Sequence, residues 1–284
     1  MTKCRHPVVA ISHGPSPLWM PKDGRHAQNV GSILSKLYGA SRPLPKRIIS
    51  VSAHWESGSS RFEISQSQSP EMIYDYYGLP NECYGIEYPA KGDPAFVCRI
   101  SDALIHHKIP TKFVERGYDH GAFTSMMLIR PEADIPIVSV SINDRLSAKD
   151  HFELGKALAP FCDEDALIIC SGQATYNLPN EFQSWLDTTF STTSTLSYSE
   201  RQATIENWHS APPAKRAHPT PDHFMLFVVA MGAGVEPERP AAAKLFGGWT
   251  FCQLSLATYA WVSTTMTMIG SMSLVDKGLW CAAQ

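Results

Sequence analysis

Val8-Val9-Ala10-Ile11-Ser12-His13-Gly14 and Ile48-Ile49-Ser50-Val51-Ser52-Ala53-His54-Trp55 follow one pattern: a short, β-branched, largely apolar run that ends on a histidine. A half-exposed strand would alternate apolar and polar residues throughout; these runs are largely apolar rather than strictly alternating, which suits strands covered by helices on both sides. Ile135 to Ile142 and Ala166 to Ser171 read the same way. Between the runs lie helix-like segments at His26 to Tyr38, Asp93 to His106, Ala148 to Phe161, Ser199 to His209 and Asp222 to Met231. Strand and helix alternate along the chain, so the expected fold is α/β: a single domain with a central, mostly buried sheet flanked by helices on both faces. No linker-like composition divides it.

The composition narrows the function. In 284 residues, 44% are hydrophobic and 18% charged, a compact chain rather than a disordered one. With 24 Lys+Arg against 27 Asp+Glu the net charge is -3, so there is no basic excess to release counterions from a phosphate backbone, and nucleic acid is not an expected partner. The seven cysteines form no C-x-x-C pair, which argues against a thiolate zinc cluster and for a reducing compartment. The N-terminal apolar run is too short for a signal peptide, and the apolar stretch from Leu254 to Met272 is broken by Ser, Thr and Gly270. A cytoplasmic, enzyme-sized protein without a membrane segment is the expectation.

Ligands of open α/β sheets bind beyond the carboxyl ends of the strands, where His13 and His54 both fall, so both imidazoles are candidate metal ligands. His223 is a third. It lies in Pro219-Thr220-Pro221-Asp222-His223, where Thr220 is expected to cap a helix and Pro221 to open it, giving the imidazole a rigid mount. Three neutral imidazoles suit Fe(II) or Zn(II) and leave positions open for substrate. In Gly117-Tyr118-Asp119-His120-Gly121, His120 is a candidate acid or base, with Asp119 either orienting it or capping the next helix. The Tyr-, Gly- and Pro-rich segment from Tyr74 to Pro94 is long for a plain connection, as functional loops are. No G-x-S-x-G, G-x-x-x-x-G-K-[ST] or H-E-x-x-H motif occurs.

Together with Ser12-His13-Gly14-Pro15, Val51-Ser52-Ala53-His54-Trp55, Tyr74-Asp75-Tyr76-Tyr77-Gly78-Leu79-Pro80, Gly117-Tyr118-Asp119-His120-Gly121, Ser171-Gly172-Gln173-Ala174-Thr175-Tyr176-Asn177-Leu178 and His218-Pro219-Thr220-Pro221-Asp222-His223, the chain resembles the class III extradiol ring-cleaving dioxygenases, in the 4,5-DOPA extradiol branch. The resemblance implies a non-haem metal, Fe(II) with zinc also possible, held by His13, His54 and His223, and an acid/base role for His120. It implies a small catechol-like aromatic substrate and O2 as partners. The similarity runs to about residue 260, so 1–260 is read as the catalytic domain and 261–284 as a C-terminal extension of unknown role.

One position departs from the family. Where the family carries a histidine, this chain has Tyr176. An imidazole near pKa ~6.5 exchanges protons at neutral pH, whereas a phenol near ~10 is chiefly a donor. Tyr176 is therefore expected to hydrogen-bond the oxygen or the substrate oxyanion, with Tyr77 covering the ring and His218 as a further substrate contact. Two other readings stay open: a non-oxidative zinc enzyme acting on a phenolic or carbonyl substrate, and a catalytically silent protein that binds an aromatic ligand.

Overall fold

The computed structural model describes residues 5–15, 24–40, 42–178, 180–251 and 253–262. The strands are β1 (Val8–Ser12), β2 (Arg47–Ser57), β3 (Phe62–Ser65), β4 (Met72–Ile73), β5 (Thr111–Val114), β6 (Tyr118–Asp119), β7 (Ile137–Asn143), β8 (Ala166–Gly172), β9 (Ala243–Phe246), β10 (Trp249–Thr250), β11 (Leu254–Ser255) and β12 (Thr258–Trp261). The helices are α1 (Gly24–Gly31), α2 (Ile33–Tyr38), α3 (Pro94–His106), α4 (His120–Ile129), α5 (Ala148–Leu158), α6 (Asn180–Phe190), α7 (Tyr198–Glu206), α8 (Ala214–Ala217) and α9 (Asp222–Gly234).

Eight strands form one sheet in the order β5-β3-β7-β2-β8-β1-β12-β9. Its middle, β7-β2-β8-β1, is parallel throughout and consists of the four runs singled out by sequence. The flanks are mixed: β3 pairs antiparallel with β7, and β12 antiparallel with β1 and β9. Both faces are covered, and the side-chain alternation of the strands sorts residues between two cores. Val8, Ala10, Ile49, Val51, Ile168 and Cys170 join the cluster under α3, α5, α6, α7 and α9. Val9, Ile11, Ile48, Leu167 and Ile169 join the cluster under α1, α2 and α4. Cys162 and Cys170 are buried, and burial pushes the Cys162 thiol up to about 12, as expected of core cysteines.

Two helix starts follow local chemistry, and a third departs from the expectation. Asp93 caps α3 by accepting from Phe96 N at 3.0 Å, with Pro94 in the first turn. Asp119 caps α4 by accepting from Ala122 N at 3.1 Å. At α9 the expected Thr220 cap is not made: Pro221 itself occupies the cap position, and Asp222 opens the helix. Residues 16–23 and 263–284, which include most of the C-terminal extension and of the apolar stretch after Leu254, lie outside the described residues; Trp261 ends β12 inside the sheet. Among the described residues, no helix is long and apolar enough to cross a membrane.

Candidate metal centre

The sheet register assembles the site. Across β1, β8 and β2, Ser12 lies level with Gly172, and Ser52 with Ser171. Ser52 is thus one residue short of the Ser12–Gly172 level, and by residue count His13 and His54 each lie one residue past it. Strands two apart in a sheet are separated by about 10 Å, so the two side chains must reach toward each other over the end of β8. That end carries only Ser171 and Gly172, which leaves room for both rings. Their centroids stand 5.0 Å apart, and the two Nε2 atoms 3.2 Å apart. His54 does not end its strand as the sequence pattern suggested: β2 runs on to Ser57, and its pairing with β7 slips between Ser52 and Glu56, so the histidine sits in a bulge.

Two further imidazoles meet this pair. His120, the first residue of α4, has its ring 4.0 Å from His54 and 5.6 Å from His13. His223, in the first turn of α9, lies 4.8 Å from His54 and 5.4 Å from His13. Glycines permit both approaches. A Cβ on Gly121 would stand 2.5 Å from Ser52 Oγ and 3.0 Å from His54 Cδ2; one on Gly172 would collide with Leu226 and come 2.7 Å from His223 O. Gly121 thus makes room for Ser52 and His54.

The Nδ1 atom of each of the four rings faces an oxygen. Ser171 Oγ donates to Gly121 O at 2.5 Å, so toward His13 Nδ1, at 3.1 Å, it can only accept. Asp75 Oδ1 accepts from His120 Nδ1 at 2.9 Å and from its backbone N at 3.0 Å, while Oδ2 lies 3.1 Å from His54 Nδ1. Asp222 Oδ2 is paired with His223 Nδ1. With the hydrogens on Nδ1, the lone pairs on Nε2 are left for a shared ion. Two nitrogens bound at about 2.0–2.1 Å to one ion lie roughly 3.0–3.4 Å apart, depending on the angle between them, and the 3.2 Å separation of His13 and His54 falls in that interval. The donor set therefore fits a divalent metal. Among the described residues, His13, His54 and His120 are grouped as a possible ion site, with ligand atoms within 4.8 Å of one another; His223 completes the ring of imidazoles beside them.

Burial, with further lowering from neighbouring imidazoles, holds His13 well below its ordinary pKa, and burial also lowers His223 despite its aspartate. Neutral imidazoles are the metal-ready form. Burial works to raise the carboxyls of Asp75 and Asp222, but imidazole N–H donors outweigh it and hold both far below the usual carboxylate range.

The remaining candidates divide. Tyr176 stands edge-on to His223 at 5.2 Å and to His218 at 5.8 Å, and burial, with the charge of Asp222, raises its phenol above the ordinary value, so it is a donor throughout the neutral range. His218 is buried among Phe182, Trp208 and Phe224, with Nε2 3.1 Å from Ala174 O and Nδ1 without a partner among the described residues; burial lowers it to about 4. Tyr77 is 92% exposed. It is the neighbouring Tyr76 that packs on His120, at 5.5 Å, its hydroxyl donating to Cys83 O at 2.6 Å. Asp119 turns out to cap α4, and the residue that orients His120 is Asp75, which sequence reasoning did not single out. Its signal was a carboxylate flanked by tyrosines in a loop already marked as too long to be a plain connection.

Comparison with known proteins matches residues 7–247 to the family described as the catalytic LigB subunit of aromatic ring-opening dioxygenase. The chain is 33% identical over 270 residues to 4,5-DOPA dioxygenase extradiol of Beta vulgaris, covering 89% of this chain and 96% of that one. It is 32% identical over 266 residues to dioxygenase tasH of Hapsidospora irregularis, covering 82% of this chain and 79% of that one. The crystal structure of an uncharacterized protein from Escherichia coli K12 superposes with a TM-score of 0.70 at 24% identity, over 90% of this chain and 99% of that chain, a likeness of fold.

Proposed function

The chain belongs to the LigB family of aromatic ring-opening dioxygenases, non-haem and metal-dependent, and on that premise we propose that it opens a catechol-like ring with O2, using Fe(II) held by His13, His54 and His223. One observation carries the reading: imidazoles from the end of β1, the bulge of β2, and the starts of α4 and α9 converge with every Nδ1 on an oxygen and two Nε2 atoms 3.2 Å apart. Bound Fe(II) supplies Lewis acidity toward two adjacent ring hydroxyls and redox access to O2.

The chain's own groups do the rest. His120, its Nδ1 held by Asp75, offers Nε2 to take a proton from a substrate hydroxyl and return it later. Tyr176 keeps its proton and donates a hydrogen bond to an oxygen of the substrate or of O2. His218, neutral and buried beside Tyr176, is assigned to the wall of the substrate space. Tyr74, Tyr76 and Tyr84 pack in T-shaped and tilted contacts into an aromatic border for it, with Tyr77 on the outside.

A second ligand set has one observation in its favour, the tight grouping of His13, His54 and His120, in which His120 replaces His223. The test of the function is anaerobic loading with Fe(II), followed by a catechol and O2. The expected outcome is O2 uptake with a yellow ring-opened product. Undiminished turnover with zinc and no O2 would support a non-oxidative enzyme, and catechol binding without O2 uptake a silent binding protein.

A further inference from the structure

We propose that Asp75 is a positioning residue that sets the tautomers of two imidazoles at once, so that His54 and His120 both present an unprotonated Nε2 to the same space. The inference rests on the reading that these rings hold and serve a metal. Pairing of β4 with β6 sets Ile73 level with Asp119, which carries the following residues of the loop up to the start of α4. There the two oxygens of Asp75 take different partners. Oδ1 is fixed twice by His120, through the backbone N–H at 3.0 Å and Nδ1 at 2.9 Å. Oδ2 is buried and 3.1 Å from His54 Nδ1, off the ideal hydrogen-bond axis, and meets no other donor among the described residues.

A carboxylate only accepts, so each nitrogen that faces Asp75 must carry the hydrogen, and each Nε2 keeps its lone pair. The other imidazoles are supported singly: His13 by the neutral hydroxyl of Ser171, and His223 by its own neighbour Asp222. Asp75 alone among these supports is shared. It ties a ligand on the β2 bulge to the acid/base group on α4, and it comes from a loop that belongs to neither element.

Asp75→Asn separates the two contacts. The backbone N–H of His120 can only donate, so it retains the amide oxygen, and the amide NH2 falls opposite His54 Nδ1. Two N–H groups cannot face each other, so His54 moves its hydrogen to Nε2, the atom the metal needs, while His120 keeps its tautomer. Long-range 15N–1H spectra of the metal-free protein at about pH 8 read this directly: wild type is expected to show Nδ1–H on both rings, and Asp75→Asn a switch at His54 alone. Co(II) affinity, measured by chelator competition, is expected to fall about 10- to 100-fold in the variant, which is the usual effect of losing the group behind a ligating histidine. A merely structural loop residue would not switch one tautomer and spare the other. Wild type with a hydrogen on Nε2 of either ring overturns the proposal even if the variant does not fold, and so does a folded Asp75→Asn with unchanged tautomers and unchanged Co(II) affinity. Wild type that binds no Co(II) but shows both Nδ1–H tautomers would refute the metal reading and leave the role of Asp75 standing.

Discussion

The strand side of the site and its helix side are built from different materials. On the strand side His13 and His54 come off β1 and β2, and with His120 they lean on Ser171 and Asp75, oxygens reached from other parts of the chain. On the helix side His223 has the aspartate next to it in sequence; beyond it Tyr176 packs on His218, which stands among Phe182, Trp208 and Phe224, and burial keeps both groups neutral. The difference separates two tasks. The strand side clusters three imidazoles, two of them on the carboxylate of Asp75, suited to a cation and to proton exchange; the helix side adds one imidazole with its own carboxylate, and beyond it the surroundings are largely aromatic and suited to a ring.

The sharpest way to break this contrast is to remove an imidazole from the strand side. His54→Ala is expected to abolish Fe(II) binding and to lower turnover by ~10³-fold or more, since several kcal/mol of transition-state stabilisation go with the ion; metal analysis and O2 uptake check it, and normal iron content with full activity would dissolve the distinction. His120→Ala should leave iron in place and lower kcat by about 10²- to 10⁴-fold, the usual range for an acid/base group, in steady-state assays. On the helix side, Tyr176→Phe should cost only about tenfold in kcat, the worth of one hydrogen bond of about 1–1.5 kcal/mol. Tyr176→His is expected to raise the rate of catechol cleavage, and no rise with metal still bound would refute the acid/base account of that position.

The smallest expected effect is on stability. His218 is lowered to about 4 when folded but protonates near pH 6.5 when unfolded, so acid favours the unfolded chain. Its contribution is fully present above about pH 6.5 and is lost as pH falls, amounting to roughly 3 kcal/mol at pH 4. Asp75 and Asp222, depressed in the folded state, act in the same sense at lower pH. Denaturant melts of metal-free wild type and His218→Phe between pH 7 and 4 should show a shallower acid limb in the variant.

Much of this was legible before the coordinates. The four parallel strands were visible because their burial on both faces leaves short, largely apolar runs broken only by small serines, and Asp93-Pro94 because a cap is a local device. The helix from His120 is foreseen only through the Asp119 cap and its extent is not, because it is buried nearly all round and shows no polar stripe to betray a period. β3 and β5 escaped for the opposite reason, being four residues each at the sheet's margin, where β5 is half exposed. The bulge at His54 depends on how β2 pairs with β7, and the sharing of Asp75 depends on the pairing of β4 with β6; neither is written in local sequence. Tyr77 and Tyr76 are adjacent in a loop without periodicity, so no pattern could say that Tyr76 packs on His120 while Tyr77 faces solvent.

The central claim is that His13, His54 and His223, from three distant segments, grip one ion while His120 stands beside it to move protons. Anaerobic equilibrium dialysis of Fe(II) against wild type, His120→Ala and His223→Ala tests this most directly. The account predicts one tightly held Fe(II) per chain in wild type and in His120→Ala, and none in His223→Ala. Full iron in His223→Ala with none in His120→Ala would contradict it and hand the third ligand position to His120.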